Sequence, residues 1–264
     1  MEQFRYLRVD ERGGILTCRL NRPERRNAVD DHMHKELVRM FSAIAADDGP
    51  RVVVLTGEGE AFCVGGDIAH MDDVAGHHDE GHSGLFRDAA DLVRAILAVR
   101  QPIVAAVNGD AVGLGASLAV LCDMVFMSES ARIGDPHVRA GLVPGDGGLI
   151  AWPLLLPLNV AKELLFTGRL LSAEEAQRIG LINRVVPLAD LDKEVGDLAE
   201  RLARTPPHAL RFTKRVLNRV LEERALQSLD LGLAFEAVTL NTTDHKEAVA
   251  RFTRRASGPG AAGQ

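Results

Sequence analysis

The sequence predicts an α/β fold in which helices cover a largely parallel sheet. Two continuous apolar runs, residues 52–55 and 103–107, lack polar alternation, as expected of strands that are buried on both faces. A glycine-rich loop follows each run, and a segment with helical spacing follows each loop, at residues 85–99 and 113–121. This repeated order of strand, loop and helix is typical of α/β architectures.

The first 45 residues are expected to form a hairpin and a helix. Residues 6–9 and Ile15–Leu20 alternate apolar and polar side chains on either side of a glycine-containing turn, which predicts a β-hairpin. Apolar residues then recur every three or four positions through Ala45. This spacing predicts a helix, and either Asn27 or Asp30 is expected to cap its start.

The remainder of the chain changes from alternating strands and helices to helices alone. A loop is expected over residues 57–66, and a further strand over residues 124–126. From Ala189 to about Arg255 the pattern is helical, with a break at the proline pair of residues 206–207. We therefore expect a helical appendage at the C-terminal end that packs on the core or on another subunit.

Composition and charge exclude several classes of partner. The 264 residues carry a net charge of −6 and contain one Trp and one Tyr, so nucleic acid is a poor candidate. The first residues lack an apolar signal core, and the longest apolar stretch, residues 114–121, is too short to span a bilayer. We expect a cytoplasmic protein without a membrane partner. The cysteines match no metal-ligand spacing and are expected to be free thiols; they are Cys18, Cys63 and Cys122.

A histidine-rich segment at residues 70–84 is the one candidate for a metal site. It contains four of the nine histidines together with four acidic residues. Three glycines leave the geometry of any ligand set unfixed, and no periodic element holds it. We therefore favour a solvated loop beside the active site, and we expect no metal.

The turn-rich segment at residues 133–148 contains the leading catalytic candidates, His137 and Asp146. Prolines and glycines constrain its backbone, and such a loop holds polar side chains in fixed places, as an active site requires. An unperturbed imidazole titrates near ~6.5, which suits proton transfer at neutral pH. Asp146 is expected to accept a ring N–H of His137 and so to fix its tautomer. The alternative is a local turn role for both side chains.

Two glycine-rich loops, at residues 61–68 and 107–117, are candidates for binding a developing negative charge. Glycines free the backbone to point N–H groups outward, and the second loop leads directly into a predicted helix. The N-terminus of a helix adds unpaired donors and a partial positive charge. Two N–H groups that converge on one point would stabilise an oxyanion. Each loop on its own is also compatible with an ordinary turn.

Several short motifs follow one another between about residue 5 and about residue 255. They are Leu-Asn-Arg-Pro-Glu at 20–24, Ala-Phe-Cys-Val-Gly-Gly-Asp at 61–67, Pro-Ile-Val-Ala-Ala-Val-Asn-Gly at 102–109, Cys-Asp at 122–123, the glycine-rich turn at 141–148, Leu-Leu-Phe-Thr-Gly at 164–168 and the stretch at 173–187. In this order they closely resemble the crotonase superfamily, also called the enoyl-CoA hydratase/isomerase family. The match is specific for the superfamily but not for one reaction, because this fold carries several chemistries.

The resemblance implies a crotonase-like spiral of ββα units with a C-terminal helical region that builds trimers. The core with the active site would occupy residues 1–200, and the helical region residues 201–264. Such proteins form homotrimers or hexamers made of two trimers. They bind an acyl-CoA or a related carbonyl compound and stabilise its enolate, with the CoA thioester as substrate and without a permanently bound cofactor.

The resemblance also assigns roles to residues, and it shows a departure from the family. The oxyanion hole falls on the backbone N–H groups of Val64 and Leu114. Typical hydratases carry two catalytic glutamates, but this chain has Ser117 and His137 at those positions. An alcohol cannot act as an acid or base unaided at neutral pH, so ordinary hydratase chemistry is in doubt. His137 would instead move the proton.

An alternative within the same superfamily is hydrolysis of a β-diketone without CoA. The pair His137 and Asp146 resembles the dyad of the oxocamphor hydrolases, and Glu236 falls where that branch has a further acid. Another histidine of that branch aligns with Leu114, so the carry-over is partial. Free CoA would bind to the first type of enzyme and not to the second.

The resemblance places further residues in the substrate site. Arg25 and Arg26 follow the Asn-Arg-Pro-Glu turn, where a phosphate contact and a solvated basic turn are equally plausible. Asp67 is more readily explained as a structural acceptor in its own loop. The other expected substrate contacts are Ala28, Ala61, Gly65, Ile68, Gly113, Ser117 and Glu236.

A non-catalytic role in RNA binding is the third hypothesis. Six basic residues lie on the predicted helices between residues 201 and 219. We favour a solvated helix face, because the acidic total charge opposes RNA binding.

Overall fold

The strands of the computed structural model form two sheets within the residues that it describes, 4–67 and 80–256. In chain order the strands are β1 (Leu7–Arg12), β2 (Ile15–Leu20), β3 (Val52–Gly57), β4 (Ala61–Cys63), β5 (Ile103–Val107), β6 (Asp110–Val112), β7 (Met124–Ser128), β8 (Arg132–Gly134), β9 (Leu171–Ser172) and β10 (Arg184–Val186). The first sheet has the order β1-β2-β3-β5-β7-β10 and the second the order β4-β6-β8-β9. Pairing is parallel except between β1 and β2 and between β8 and β9.

The helices surround these sheets and dominate the C-terminal quarter. They are α1 (Asp31–Ala46), α2 (Glu80–Ala98), α3 (Leu114–Val120), α4 (Gly148–Leu155), α5 (Leu158–Thr167), α6 (Ala173–Arg178), α7 (Leu188–Arg204), α8 (Pro207–Leu217), α9 (Arg219–Leu240) and α10 (Thr243–Ala256). Two short 3-10 helices lie at Pro23–Arg25 and His137–Ala140. Across the described ranges, none of the helices combines the length and apolar character that a membrane span needs.

A unit of two strands and a helix repeats along the chain. The units are β3-β4-α2, β5-β6-α3 and β7-β8-α4, the last with the 3-10 helix His137–Ala140 before its α-helix. In each unit the first strand joins the large sheet and the second strand joins the small one. Successive units therefore advance by one strand in both sheets, which produces the spiral of ββα units and confirms the predicted α/β class.

The interior of the large sheet follows the pattern expected of a strand buried on both faces. In β3, Val53 and Leu55 belong to the main apolar core, whereas Val52 and Val54 pack in a second cluster. That second cluster includes Val195 and other apolar residues of α7, so α7 covers one face of the sheet. The expected division at residue 200 falls within this helix.

Most predicted elements of the N-terminal half form, but segments predicted as loops contain short strands. The hairpin of β1 and β2 is confirmed, and Asp30 caps α1 by accepting a hydrogen bond from the Met33 N–H at 2.9 Å. Asn27 is not the cap. The segment 57–66, predicted as a loop throughout, contains β4, because Ala61 and Cys63 pair with β6. A strand of three residues is too short to show a periodic pattern.

The C-terminal helices form as predicted, with the break where the proline pair lies. Helix α7 ends at Arg204 and α8 begins at Pro207. The prolines separate the two helices because a proline lacks the N–H that would continue the first one. The histidine-rich segment predicted as a loop over residues 70–84 lies outside the described residues up to position 79, as does Ile68. Its last five residues, 80–84, were predicted wrongly, because α2 begins at Glu80 and not at Leu85.

Candidate active site

Two glycine-containing turns meet at the ends of β4 and β6. Gly65 and Gly113 have backbone φ angles of +93° and +56°, which residues with a Cβ rarely adopt. A Cβ on Gly65 would lie 2.9 Å from the Val112 carbonyl oxygen, so the turns are in direct contact. Their neighbours are the two expected oxyanion residues, Val64 after β4 and Leu114 at the first position of α3.

Leu114 contributes its main chain and its side chain to different parts of the structure. Because it opens α3, its N–H is one of the donors that have no acceptor within the helix. Its side chain is buried and belongs to the main apolar core, with 9% of the residue exposed. The other residues of α3 are buried as well, so the N-terminus of this helix is firmly held.

The imidazole of His137 lies beside these turns. His137 begins the 3-10 helix that follows β8, and a Cβ on Gly113 would lie 3.4 Å from its Cε1 atom. The side chain of His137 is 12% exposed. The structure therefore brings together the expected proton-transfer residue and the turn that precedes Leu114.

Two aspartates flank the imidazole on opposite sides. Asp135 Oδ1 is 2.5 Å from Nδ1 of His137, and Asp146 Oδ2 is 3.5 Å from Nε2. Asp135 Oδ1 also accepts the main-chain N–H of His137 at 3.2 Å. Sequence reasoning placed Asp146 beside His137 but missed Asp135, which makes the shorter contact with the ring. The spacing Asp-Pro-His was the available signal, because an Asp side chain often binds the backbone two residues ahead.

Ser117 connects helix α3 to this group. Its hydroxyl donates a hydrogen bond to Asp146 Oδ1 at 3.1 Å, and both residues are buried. Asp146 thus lies between the hydroxyl of Ser117 and the imidazole of His137. The hydroxyl of Ser117 thereby holds the carboxyl group of Asp146, which comes from the turn before α4, against helix α3.

Glu236 of α9 reaches the same group from the C-terminal helices. Its Oε2 atom lies against Gly145, next in sequence to Asp146. Within the described residues, this buried oxygen has no hydrogen-bond partner. The site therefore contains one imidazole and three carboxyl groups, which come from the segments before and after the 3-10 helix and from α9.

Burial and mutual attraction shift the pKa values of these groups. Burial lowers the pKa of His137, but Asp135 and Asp146 outweigh this effect and hold it well above the ordinary value of 6.5. Burial raises the pKa of Asp146, and the charge of His137 opposes that increase. Burial also raises the pKa of Glu236 to about 8, with the same opposition from His137.

Asp135, His137 and Asp146 are also close enough for their ligand atoms to be considered as a cation site. The two aspartates, however, contact opposite ring nitrogens. Each carboxyl group thus already engages its own ring nitrogen, so the arrangement suits an imidazole held by two carboxyl groups better than a ligand shell.

The basic turn at residues 22–28 is anchored mainly by Arg22. Arg22 is 8% exposed, donates to the Ala28 carbonyl at 2.6 Å and pairs with Asp30 and Asp67 at 3.3 and 3.2 Å. Sequence analysis quoted Arg22 only as part of a motif and assigned it no role. Asp67 is thus held by a side chain on the neighbouring turn.

Asn27 and the expected CoA-contacting arginines complete this turn. The Asn27 side-chain amide donates to the carbonyls of Glu58 and Ala61 at 2.9 and 2.8 Å, which fixes the turn against β4. Arg25 is exposed, and Arg26 pairs with Asp110 at 3.0 Å while its side chain stays 56% exposed.

Comparisons with known proteins agree with this architecture. A family model described as enoyl-CoA hydratase/isomerase matches residues 10–258. A putative enoyl-CoA hydratase of Thermus thermophilus is 37% identical over 247 residues, covering 92% of this chain and 95% of the relative. A crystal structure of an enoyl-CoA hydratase/isomerase from Mycobacterium paratuberculosis superimposes with a TM-score of 0.89 and 38% identity, covering 93% of this chain and 98% of the other.

A second type of enzyme is also structurally similar. A β-diketone hydrolase from the cyanobacterium Anabaena, bound to (S)-3-oxocyclohexyl acetic acid, has a TM-score of 0.81 and 28% identity. The alignment covers 90% of this chain and 95% of that one. Both chemistries considered from the sequence are therefore represented among proteins of this shape.

Proposed function

Because the chain belongs to the enoyl-CoA hydratase/isomerase family, we propose that it is an enzyme that processes an acyl-CoA thioester through an enolate. The contact between His137 and the turn at Gly113 carries this proposal, since Leu114 follows directly. A thioester oxygen held at that turn would lie close to the imidazole, as an enolate mechanism requires.

The oxyanion would be bound by the main-chain N–H groups of Val64 and Leu114. Preorganised backbone donors stabilise negative charge without reorganising during the reaction, and loss of one such donor typically slows catalysis about 100- to 1,000-fold. The buried α3 and the contact of Gly65 with Val112 support such preorganisation. His137 would transfer the proton to or from the α-carbon, with Asp146 as its neighbour at Nε2.

The substrate site would extend from this centre to the basic turn. We expect the exposed Arg25 and Arg26 to contact CoA phosphates, since a guanidinium binds phosphate oxygens in a fixed fork geometry. Ala28, Ala61, Gly65, Gly113 and Ser117 would contribute small side chains or main-chain atoms along the acyl path. No permanently bound cofactor is required, because the CoA thioester is itself the substrate.

The test is turnover of a panel of enoyl-CoA substrates, analysed by mass spectrometry. Hydration adds one water to the substrate, isomerisation leaves the mass unchanged, and thioester hydrolysis releases CoA. We expect His137→Ala to lose at least 100-fold in kcat, within the range for removal of a general acid or base. His208→Ala, an exposed histidine on α8, should match the native enzyme. Unchanged turnover in His137→Ala would refute the assigned role.

A β-diketone hydrolase is the second candidate. Two observations support this candidate. His137 Nε2 lies 3.5 Å from Asp146 Oδ2, and the chain is similar to the Anabaena enzyme. This enzyme would cleave a carbon–carbon bond without CoA. Calorimetry with free CoA separates the candidates: micromolar binding supports the acyl-CoA enzyme, and absence of binding together with cleavage of cyclic β-diketones supports the hydrolase.

A homotrimer, or a hexamer made of two trimers, is also proposed. Helices α8 and α9 expose large apolar side chains that an isolated chain would leave in water. They are Phe212, Val216, Leu217, Val220, Leu226, Leu231, Phe235 and Val238. All of them lie in the region assigned to trimerisation, residues 201–264.

A further inference from the structure

His137 is held between two buried carboxyl groups, and this arrangement indicates its resting protonation state. Asp135 is 2% exposed and Asp146 is 8% exposed, so little water screens either charge from the ring. Asp135 Oδ1 accepts the main-chain N–H of His137 and also contacts Nδ1 of the ring. A proton on Nδ1 would be donated to this oxygen, and Nε2 then faces Asp146.

Asp135 lies against the start of helix α4. Its second oxygen, Oδ2, lies against Gly148, the first residue of α4, and a Cβ at Gly148 would overlap with it. The N-terminus of a helix carries a partial positive charge of roughly half a unit, which stabilises a nearby anion. Glycine at position 148 therefore allows the carboxylate to approach this end of the helix. Asp135 Oδ2 is buried there without a hydrogen-bond partner among the described residues, so the carboxyl group is positioned by the contacts of Oδ1 with His137.

The charged groups that act most strongly on His137 are all acidic. Asp135 follows β8, Asp146 precedes α4, and Glu236 extends from α9, while α3 contributes the uncharged hydroxyl of Ser117. Each of these acids, when ionised, stabilises a cationic ring. Ser117 also donates to Asp146, which favours the ionised form of that aspartate.

We propose that Asp135 is a positioning residue that, with Asp146, keeps His137 as an imidazolium, so that His137 enters the reaction as a proton donor at Nε2. This inference rests on the proposed function for its reaction, but the protonation state itself belongs to the free enzyme. It assigns Asp135 a role that differs from that of Asp146. Asp135 fixes the ring and its charge, and Asp146 accompanies the proton that is transferred.

The proton transfer can be written with all atoms accounted for. The thioester enolate uses its carbon–carbon electron pair to form a bond from Cα to the proton on Nε2. The N–H bond breaks, and its electron pair stays on Nε2, which gives a neutral imidazole. The negative charge of the enolate is thereby neutralised together with the positive charge of the ring. Nδ1 keeps its proton and its hydrogen bond to Asp135.

This direction of transfer narrows the class of reaction. A protonated His137 cannot begin catalysis by removing a proton from carbon. Where His137 is the group that exchanges this proton, the enolate arises from addition of a nucleophile to an unsaturated thioester, or from cleavage of a bond next to the carbonyl. Hydration and carbon–carbon cleavage fit this class, whereas an isomerisation begun by His137 does not.

The test is nitrogen NMR of the free enzyme with ¹⁵N-labelled histidine, the signal being assigned through a His137→Gln variant. We expect both ring nitrogens of His137 to show imidazolium shifts at about pH 7.5, above the range in which an ordinary histidine titrates. Asp135→Asn should lower the titration midpoint by about one unit or more, because one flanking charge is lost. A neutral ring at this pH in the native enzyme overturns the proposal.

Kinetics provide the second readout. Asp135→Asn should reduce kcat about 10- to 100-fold with little change in KM, as for groups that orient a reacting ligand, and should move the alkaline limb of the pH profile downwards. Asp123→Asn is the matched control. Asp123 is a partly buried carboxylate that pairs with Lys214 at 2.7 Å and accepts from the Ile103 N–H at 2.6 Å. Asp123→Asn should lower the free energy of unfolding without shifting the titration midpoint of His137 or the alkaline limb of the pH profile. Equal shifts in Asp135→Asn and Asp123→Asn would contradict a positioning role for Asp135.

The two proposals fail in different ways. If no acyl-CoA is turned over but His137 is an imidazolium in the free enzyme, only the proposed function is refuted. If acyl-CoA is turned over and His137 is neutral at about pH 7.5, only the inference about its protonation is refuted.

Discussion

With serine at position 117, a carboxyl group still reaches the site, but it comes from a neighbouring turn and not from this position. An alcohol does not act as an acid or base unaided at neutral pH, but the hydroxyl of Ser117 holds Asp146 at 3.1 Å. Asp146, His137 and Asp135 then form a continuous chain of contacts across the segment after β8. A carboxyl group is therefore supplied to this point by a neighbouring turn, and the acid–base function depends on partners that no single motif contains.

Glu236 leads to a pH-dependent prediction at the same scale. Burial raises its pKa to about 8 from an ordinary 4.5, so the folded protein binds this proton more tightly than the unfolded chain does. Its contribution to stability is present in acid and is lost as the pH rises from about 4.5 to about 8. Glu236→Gln should therefore gain stability relative to the native protein across this window, as measured by urea unfolding at a series of pH values.

The exposed Glu247 provides the control for this experiment. Glu247→Gln should give a pH–stability curve parallel to that of the native protein, because both forms of its side chain remain in water. A curve for Glu236→Gln that is also parallel to the native one would show that the carboxyl group of Glu236 titrates normally.

At the level of elements, the close packing of β4 against α3 determines where the two turns meet. Gly115 lies in the first turn of α3, and a Cβ there would overlap with the main-chain carbonyl of Cys63. A backbone contact cannot relax as a flexible side chain can. We expect Gly115→Ala to lose about 1–3 kcal/mol in the free energy of unfolding, as overpacking generally does. Loss of activity should exceed the loss of folded protein, because Val64 and Leu114 would move apart.

Gly196→Ala is the matched control in another helix. Gly196 lies in the middle of α7, and no atom lies within 4 Å of a Cβ placed there. Alanine should gain about 0.5–1 kcal/mol there, because it has the higher helix propensity. Calorimetry measures the change in the free energy of unfolding for Gly115→Ala and for Gly196→Ala. Equal changes in the two variants would show that the contact with Cys63 does not restrict α3.

Elements also mark the limit of the sequence prediction. The hairpin, α1 and the long helices of the C-terminal region were predictable because their patterns extend over many residues. Strands β4 and β6 contain three residues each and lie within glycine-rich segments. Their pairing depends on the approach of two distant segments, so no local periodicity marks them. These two strands also carry the turns at Gly65 and Gly113.

For the whole molecule, the exposed apolar side chains of α8 and α9 predict self-association. Sedimentation of the 28.5 kDa chain should give about three or six times the monomer mass. Leu226 is 86% exposed in the isolated chain, and Leu226→Asp should shift the population towards monomers. Leu188→Asp, on the exposed surface at the start of α7, is the control that should leave the mass unchanged. A monomeric native protein at micromolar concentration would contradict the expected assembly.

The sequence by itself determined the α/β class, the order of most elements, the family and the segment that contains His137. These properties follow from local spacing and from motifs that are contiguous in the chain. Only the tertiary structure decided which acids contact the imidazole. Asp135, Asp146 and Glu236 are separated along the chain, and sequence gives no distance between them. Their approach is determined by how β8, α4 and α9 pack, and burial in that packing then sets the pKa values of the groups they carry.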